Sequence, residues 1–169
     1  MNYRRLFIPN SIVFITMITQ NRIPILLDKI DVLIKSVNEV KSHYNFEIIA
    51  YAVLNDHFHF LMWSEDITKY PKIIHSIKYN FKKNVGVATP TYNKLWQNRY
   101  WEHTIRDETD LHRNIDYIHY NPVKHYTIAP KDWEYSSFNK FVELGFYEKD
   151  WYNLDDKYNI NDLGADYGE

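Results

Sequence analysis

Two histidines, His57 and His59, stand one residue apart in a short segment of alternating character. Successive side chains of a β-strand point to opposite faces of its sheet, so residues two apart share a face. A strand over residues 57–63 therefore turns both imidazoles to one face, and Phe58 and its apolar neighbours to a core. Two neutral imidazoles on a rigid strand make half of a metal site. The rest of the chain must supply the sheet and the surface that faces these rings.

The size and composition of the chain favour one compact domain. The 169 residues are 45% hydrophobic and 17% aromatic, which is enough to build a core. Cysteine is absent, so disulfides and thiolate metal sites are excluded. The N-terminus does not have the pattern of a signal peptide, and no apolar run reaches the length of a membrane span. We therefore expect a cytoplasmic protein with no membrane partner.

Charge is distributed unevenly along the chain. Residues 146–169 carry a net charge of −5, which leaves +3 for residues 1–145. We expect a folded domain over residues 1–145, followed by an acidic C-terminal tail over residues 146–169. A mildly basic body is compatible with a nucleic-acid partner, although the net charge of −2 for the whole chain argues weakly against one.

Hydrophobic periodicity and turn residues predict an alternating order of strands and helices. The predicted elements are a strand over 11–19, a helix near 28–43 capped by Asp28, strands over 46–53 and 57–63, a helix over 69–85, an extended segment over 95–106, and a helix from Glu108, capped by Asp107, toward Pro122. This β-α-β-β-α-β order plus a helix is the ferredoxin-like pattern of an α+β fold, an antiparallel sheet with helices on one face. A short helix is expected within 131–145, and residues 150–169 are expected to be irregular.

The last long helix carries a second group of polar residues. Tyr117 and Asn121 are four residues apart and share one helix face. Pro122 disfavours helical conformation in the residue before it, so Asn121 is expected at the helix end. If this face packs against the histidines, it adds a phenol and an amide oxygen to the two imidazoles. The alternatives are a buried core tyrosine and an asparagine that only caps the helix.

These residues belong to a longer series of motifs that resembles the HUH single-tyrosine transposases, and among them the REP-associated tyrosine transposases. The motifs occur in order over residues 3–140: Tyr3-Arg4-Arg5, Leu95-Trp96-Gln97, Tyr100-Trp101-Glu102-His103, Ile105-Arg106-Asp107, the segment 117–124 and Asp132-Trp133. The resemblance implies that His57, His59 and Asn121 are metal ligands and that Tyr117 is the nucleophile. It also implies hairpin-forming single-stranded DNA as the substrate. The chain departs from the family before its first strand, where it has Pro9-Asn10-Ser11 and many relatives have glycine.

The implied chemistry explains why these residue types belong together. A phenol has a pKa of about 10 and is a weak nucleophile at neutral pH, so it needs a nearby positive charge. A divalent ion on two imidazoles and an amide oxygen provides that charge and polarises the phosphate. Such ligands also admit Zn²⁺ or Ni²⁺, whereas the resemblance favours Mg²⁺ or Mn²⁺.

The remaining predictions concern the DNA and the supporting residues. His103 and His119 are expected to be structural or to support the site from behind. Candidate phosphate contacts are the basic residues Arg4, Arg5, Lys78, Lys82, Lys83, Arg99, Arg106 and Lys124.

The sequence thus predicts a metal-dependent DNA endonuclease and strand transferase, active as a monomer or homodimer on REP-like repeats through a 5′-phosphotyrosine. The alternatives are a mobile insertion-sequence transposase of the same chemistry, a repeat-DNA-binding protein without turnover, and a hydrolase that uses water instead of tyrosine.

Overall fold

A four-stranded antiparallel sheet forms the centre of the molecule. The computed structural model describes residues 8–86 and 94–151, so the predicted DNA contacts Arg4 and Arg5 lie outside the described residues. The strands are β1 (Ile12–Ile18), β2 (Phe46–Val53), β3 (His57–Ser64) and β4 (Trp101–Thr104). Their order in the sheet is β2-β3-β1-β4, and every pairing is antiparallel. This is the predicted ferredoxin-like topology, so the predicted fold class is confirmed.

Helices cover both faces of the sheet. On one face lie α1 (Ile30–Lys41) and α2 (Tyr70–Val85), which pack against each other. On the other face lie α3 (Glu108–Tyr126) and the short α4 (Phe138–Glu143). The prediction that the helices lie on one face of the sheet is correct for α1 and α2. It is wrong for α3, which packs on the other face and adds a third layer.

The side chains of β3 alternate between these two layers as predicted. Phe58 and Phe60 are buried in the core beneath α1 and α2, together with Val13 and Ile15 from β1. Leu61, on the opposite face, belongs to the core beneath α3. His57 and His59 have the same parity as Leu61, so both imidazoles face α3.

The third helix extends further than its sequence predicts. Its start is correct, since the Asp107 carboxylate accepts a hydrogen bond from the Asp110 amide at 2.8 Å. The predicted end before Pro122 is wrong: the helix continues through Pro122 to Tyr126 and closes at Thr127, whose φ is 57°. Pro122 is itself buried, and packing stabilises the helix across a residue that removes a backbone hydrogen bond.

Three other boundaries differ from the sequence prediction. Lys29, not Asp28, occupies the N-cap of α1, and no side chain caps that helix. The segment predicted as extended over 95–106 is a regular strand only at β4. Earlier in the segment, the Trp96 side chain is buried and its backbone makes one isolated bridge to Thr19. Before β1, Asn10 has φ 60°, a left-handed conformation that asparagine tolerates better than most residues and glycine adopts freely.

The packed core reaches beyond the predicted domain boundary at residue 145. Tyr147 is buried in the core beneath α3, and Trp151 packs against it. Residues 152–169, which make up most of the predicted acidic tail, lie outside the described residues. Within residues 8–86 and 94–151, no helix has the length and apolar character needed to cross a membrane.

Candidate active site

The two imidazoles lie side by side on β3 with a distinct partner for each ring. Their centroids are 4.9 Å apart. The Asp56 carboxylate lies 2.6 Å from Nδ1 of His57, and the Thr16 hydroxyl lies 2.9 Å from Nδ1 of His59. A neutral ring that donates its Nδ1 proton to such a partner presents Nε2 to a metal, and Nε2 is buried in both residues.

The carboxylate beside His57 is held in its charged form. Burial opposes ionisation of Asp56, but the hydrogen bond with His57 and the Arg22 guanidinium 3.4 Å away outweigh it. The pKa of Asp56 therefore lies below its ordinary value. An ionised carboxylate at this position fixes the tautomer and the orientation of the His57 ring.

The face of α3 that carries Tyr117 lies directly on the histidine pair. The Tyr117 ring centroid is 5.5 Å from that of His59, and the His125 ring centroid is 4.8 Å from that of His57. Tyr117, Asn121 and His125 follow one another at intervals of four residues and so share one helix face. Since Tyr117 touches one histidine and His125 the other, Asn121 between them faces the pair. The packing on which the predicted site depends is therefore present within one chain.

The amide of Asn121 has a defined orientation. Its Nδ2 donates a hydrogen bond to the Tyr117 carbonyl at 2.8 Å. A carbonyl oxygen can only accept, so the nitrogen must face the helix backbone and Oδ1 must point away from it. Asn121 is fully buried, and its Oδ1 has no hydrogen-bond partner among residues 8–86 and 94–151. A buried, unsatisfied oxygen is costly unless another group binds it.

These donors fit a divalent cation. The candidate ligands are the buried Nε2 atoms of His57 and His59 on β3 and the buried Oδ1 of Asn121 on α3. Three protein ligands would leave positions open for phosphate oxygens or water. In the described part of the chain, no group of three or more His, Asp or Glu side chains is placed to hold a metal. The candidate donor set therefore remains the one predicted from the sequence: Nε2 of His57, Nε2 of His59 and Oδ1 of Asn121.

The phenol of Tyr117 contacts the ammonium group of Lys124. Lys124 Nζ donates a hydrogen bond to Tyr117 Oη at 3.2 Å and lies 5.2 Å from the ring centroid. The Tyr117 ring is buried against Phe14 and His59, whereas Lys124 is exposed. Lys124 is among the phosphate contacts predicted from the sequence, and His125 has no predicted role. Lys124 and His125 lie seven and eight residues after Tyr117, a spacing that puts all three on one face of a continuous helix. This spacing is the sequence signal that could have identified them.

His103 does not contact the histidine pair. It stacks on Trp101 and its Nε2 lies 2.8 Å from the Asp110 carboxylate, which also accepts from the backbone amide and the guanidinium of Arg106 at 3.0 Å each. Burial opposes ionisation of Asp110, but the hydrogen bonds from Arg106 and His103 outweigh it and hold its pKa at about 2. This cluster ties the first turn of α3 to β4.

His119 lies in a different buried network, separate from the histidine pair. Its Nε2 is 2.8 Å from the Ser137 hydroxyl and its Nδ1 is 3.3 Å from the Tyr147 hydroxyl. Tyr147 donates in turn to Asp116 at 2.7 Å. Burial lowers the pKa of His119 to about 3, so the ring stays neutral. The network joins the middle of α3 to the segment around α4 and thereby positions Tyr117.

The predicted phosphate contacts are dispersed over the molecule. Lys78 turns inward and donates to the Gln97 carbonyl at 3.0 Å, and burial lowers its pKa to about 8. Lys82 and Lys83 are exposed on α2, on the side of the sheet opposite the histidine pair. Arg99 is exposed at the loop before β4. Of the candidates within the described residues, Lys124 is the one that contacts the predicted nucleophile.

Known proteins share this arrangement. The family "Transposase IS200 like" matches residues 8–121. A REP-associated tyrosine transposase of Escherichia coli is 34% identical over 88% of this chain and 89% of its own length. A candidate REP-associated tyrosine transposase of Haemophilus influenzae is 38% identical over 89% of this chain and 92% of its own length.

Solved structures agree with these sequence matches. A REP-associated tyrosine transposase bound to a REP hairpin superposes with a TM-score of 0.81 at 31% identity, covering 94% of this chain and 95% of that chain. A candidate transposase from Deinococcus radiodurans shares the fold, with a TM-score of 0.50 at 18% identity, covering 66% of this chain and 92% of that chain.

A histidine pair on a central strand, faced by Tyr117 on a neighbouring helix, together with these matches, defines an HUH-type tyrosine transposase, a nuclease and strand transferase. The chain belongs to the IS200-like transposase family and, within it, to the REP-associated tyrosine transposases.

Proposed function

We propose that this chain is a metal-dependent endonuclease and strand transferase for hairpin-forming single-stranded DNA of the REP type, and that it works through a 5′-phosphotyrosine on Tyr117. One observation carries the proposal: Tyr117 packs against His59 on the same helix face that turns Asn121 to the histidine pair. The proposed nucleophile and the three proposed ligands belong to two facing elements of one chain, which supports the proposal.

The proposed reaction is a transesterification. Tyr117 Oη attacks the scissile phosphorus, the Oη–P bond forms and the bond from phosphorus to the 3′ oxygen breaks. The phenol loses its proton to solvent, and the departing 3′ oxygen takes a proton from water. The phosphoester is conserved in the phosphotyrosine, so a 3′-OH can later attack it and rejoin the strand without ATP.

His57, His59 and Asn121 would hold the divalent ion, with Asp56 and Thr16 orienting the two rings. HUH transposases generally use such an ion, and Mg²⁺ or Mn²⁺ suits a mixed nitrogen and oxygen site that shares its cation with a phosphate. Bound there, the ion supplies Lewis-acid stabilisation of charge on the phosphate. The chain itself fixes the ring tautomers and keeps the phenol packed beside the ligands.

The relatives support the proposed substrate class. The similar structure of a REP-associated tyrosine transposase has a REP hairpin bound to it, and this chain matches that protein over nearly its whole length. Exposed cations such as Arg99 and Lys83 are available for phosphates, which attract basic side chains irrespective of sequence. Acting on such DNA, the enzyme would work in the bacterial cytoplasm at the nucleoid, with one copy holding a complete site.

Replacing Tyr117 by phenylalanine tests the proposal. Tyr117→Phe is expected to abolish cleavage of a REP-type hairpin oligonucleotide in Mn²⁺ and to retain DNA binding, because only the nucleophilic oxygen is removed. Tyr120→Phe, three residues further along α3, is the matched control and should cleave normally. Full cleavage by Tyr117→Phe would overturn the assignment and favour a hydrolase that uses water, and binding without cleavage by the unmodified chain would favour a DNA-binding protein without turnover.

A further inference from the structure

The contact between Lys124 and Tyr117 depends on the unexpected length of α3. Tyr117, Asn121 and Lys124 lie at positions i, i+4 and i+7 and share one helix face. Helical side chains lean toward the N-terminus, so the long side chain of Lys124 reaches back over the preceding turns. The helix would not present Lys124 in this way if it ended at Asn121, and its continuation through Pro122 puts the ammonium beside the phenol.

The geometry places the ammonium at the atom that reacts. Lys124 Nζ is 3.2 Å from Tyr117 Oη and 5.2 Å from the centre of the ring. The shorter distance is to the oxygen, and the contact is a hydrogen bond from a charged donor to the phenol. Such charge-assisted bonds are stronger than neutral ones and strengthen further as the acceptor becomes negative.

We propose that Lys124 is a catalytic residue, which donates a hydrogen bond to Tyr117 Oη and neutralises the charge that develops there and on the adjoining phosphate. This proposal rests on the proposed function of the same site. During attack the Oη–P bond forms and the bond to the 3′ oxygen breaks, and the ammonium stays protonated throughout. When the strand is rejoined, the same ammonium stabilises the phenol oxygen as it leaves phosphorus.

This role differs from that of a lysine that only tracks DNA phosphates. A remote phosphate contact contributes to affinity and to its salt dependence, and its loss weakens binding. A donor aimed at the reacting oxygen instead acts on the transition state, so its loss lowers the rate at saturating DNA. Removal of one such donor typically lowers the rate about 100-fold to 1000-fold.

The test is single-turnover cleavage of a REP-type hairpin oligonucleotide by Lys124→Ala in saturating DNA and Mn²⁺. Removal of the ammonium should slow cleavage about 100-fold and leave the DNA dissociation constant unchanged. Ethylammonium added to Lys124→Ala should restore part of the rate, whereas tetramethylammonium at the same ionic strength, which has no N–H donor, should not. Lys124→Arg, which keeps a charged donor, should retain more activity than Lys124→Ala.

Lys35→Ala is the matched control. Lys35 is exposed on α1, on the other side of the sheet, where it pairs with Glu39 at 3.9 Å. This variant removes the same charge and should cleave at the normal rate. Unchanged cleavage by Lys124→Ala would overturn the proposal, and so would a loss that appears as weaker DNA binding without rescue by ethylammonium. Failure of the unmodified chain to cleave would instead overturn the proposed function, and the role of Lys124 with it.

Discussion

We expect the Asp56 carboxylate to determine how tightly His57 holds the proposed metal ion. Replacing Asp56 by alanine removes the 2.6 Å contact to Nδ1 of His57 and the 3.4 Å ion pair with Arg22. The backbone carbonyl of Asp56 remains, so the hydrogen bonds it accepts from Thr19 should survive. The perturbation is therefore confined to the Nδ1 side of the His57 ring, opposite the Nε2 atom that is proposed to bind the metal.

The expected loss follows from the nature of this contact. Removing a group that orients a metal-bound histidine lowers metal affinity about 10-fold to 100-fold, or roughly 1.4 to 2.7 kcal/mol. The Arg22 pair is partly exposed and adds little of its own. Thr16→Val makes the corresponding change behind His59, where the lost bond is uncharged and is worth about 1 kcal/mol. Asp56→Ala should consequently bind Mn²⁺ more weakly than Thr16→Val.

Calorimetric titration of each purified variant with Mn²⁺ measures this order directly. Asp28→Ala is the matched control, since Asp28 is exposed and does not cap α1, and the variant changes the net charge equally. We expect the control to bind like the unmodified chain. If Asp56→Ala binds Mn²⁺ as tightly as the control, or if Thr16→Val is the weaker of the two, the assignment of His57 as an oriented ligand is refuted.

Two further predictions concern stability, both measured by urea unfolding in EDTA. The unfolded chain protonates His119 near pH 6.5, whereas the folded ring remains neutral down to about pH 3, so the unfolded state binds more protons in this window and stability falls with falling pH. Between pH 7 and pH 5, His119 should lower the free energy of unfolding by at most about 2 kcal/mol. His119→Gln should lose this part of the pH dependence. Identical pH dependence of stability in the two proteins would contradict the burial of a neutral imidazole. Phe14 is fully buried and contacts the rings of His59, Trp101 and Tyr117, so Phe14→Ala should cost about 3 to 5 kcal/mol, and a cost below about 1 kcal/mol would show that α3 is not held as described.

The histidine face was predictable because it depends only on the geometry of a strand. Side chains alternate with a period of two in every β-strand, so the spacing of His57 and His59 determines that they share a face. The start of α3 was predictable for a similarly local reason, since the Asp107 carboxylate alone can accept a hydrogen bond from a free backbone amide in the first turn of the helix. Both features are decided by a few neighbouring residues.

The end of α3 was not predictable from local rules. Pro122 removes one backbone hydrogen bond, and burial of Pro122 and Val123 outweighs that loss. Such burial depends on residues far away in sequence, so a rule about the residue before proline gave the wrong end point. Because the helix was predicted to end at Asn121, the approach of Lys124 and His125 to the site was not predicted. Both residues approach the site only because the helix continues.

The exposed and inward-facing lysines of α2 illustrate another limit. Lys78 and Lys82 are both basic positions on one helix, yet Lys78 donates to the Gln97 carbonyl and Lys82 is exposed. Helical periodicity does not distinguish them, because the partner of Lys78 comes from a segment with little regular secondary structure. The pattern of charge therefore predicted a basic helix but not the use of each lysine.

The most direct test of the proposed chemistry is to locate the covalent bond to DNA. The unmodified chain is incubated with a REP-type hairpin oligonucleotide and Mn²⁺, denatured and digested, and the peptides that carry a nucleotide are sequenced by mass spectrometry. The active-site geometry predicts a 5′-phosphotyrosine on Tyr117, formed only when the divalent ion is present. Cleavage without any adduct, or an adduct on Tyr120 instead, would contradict the central claim.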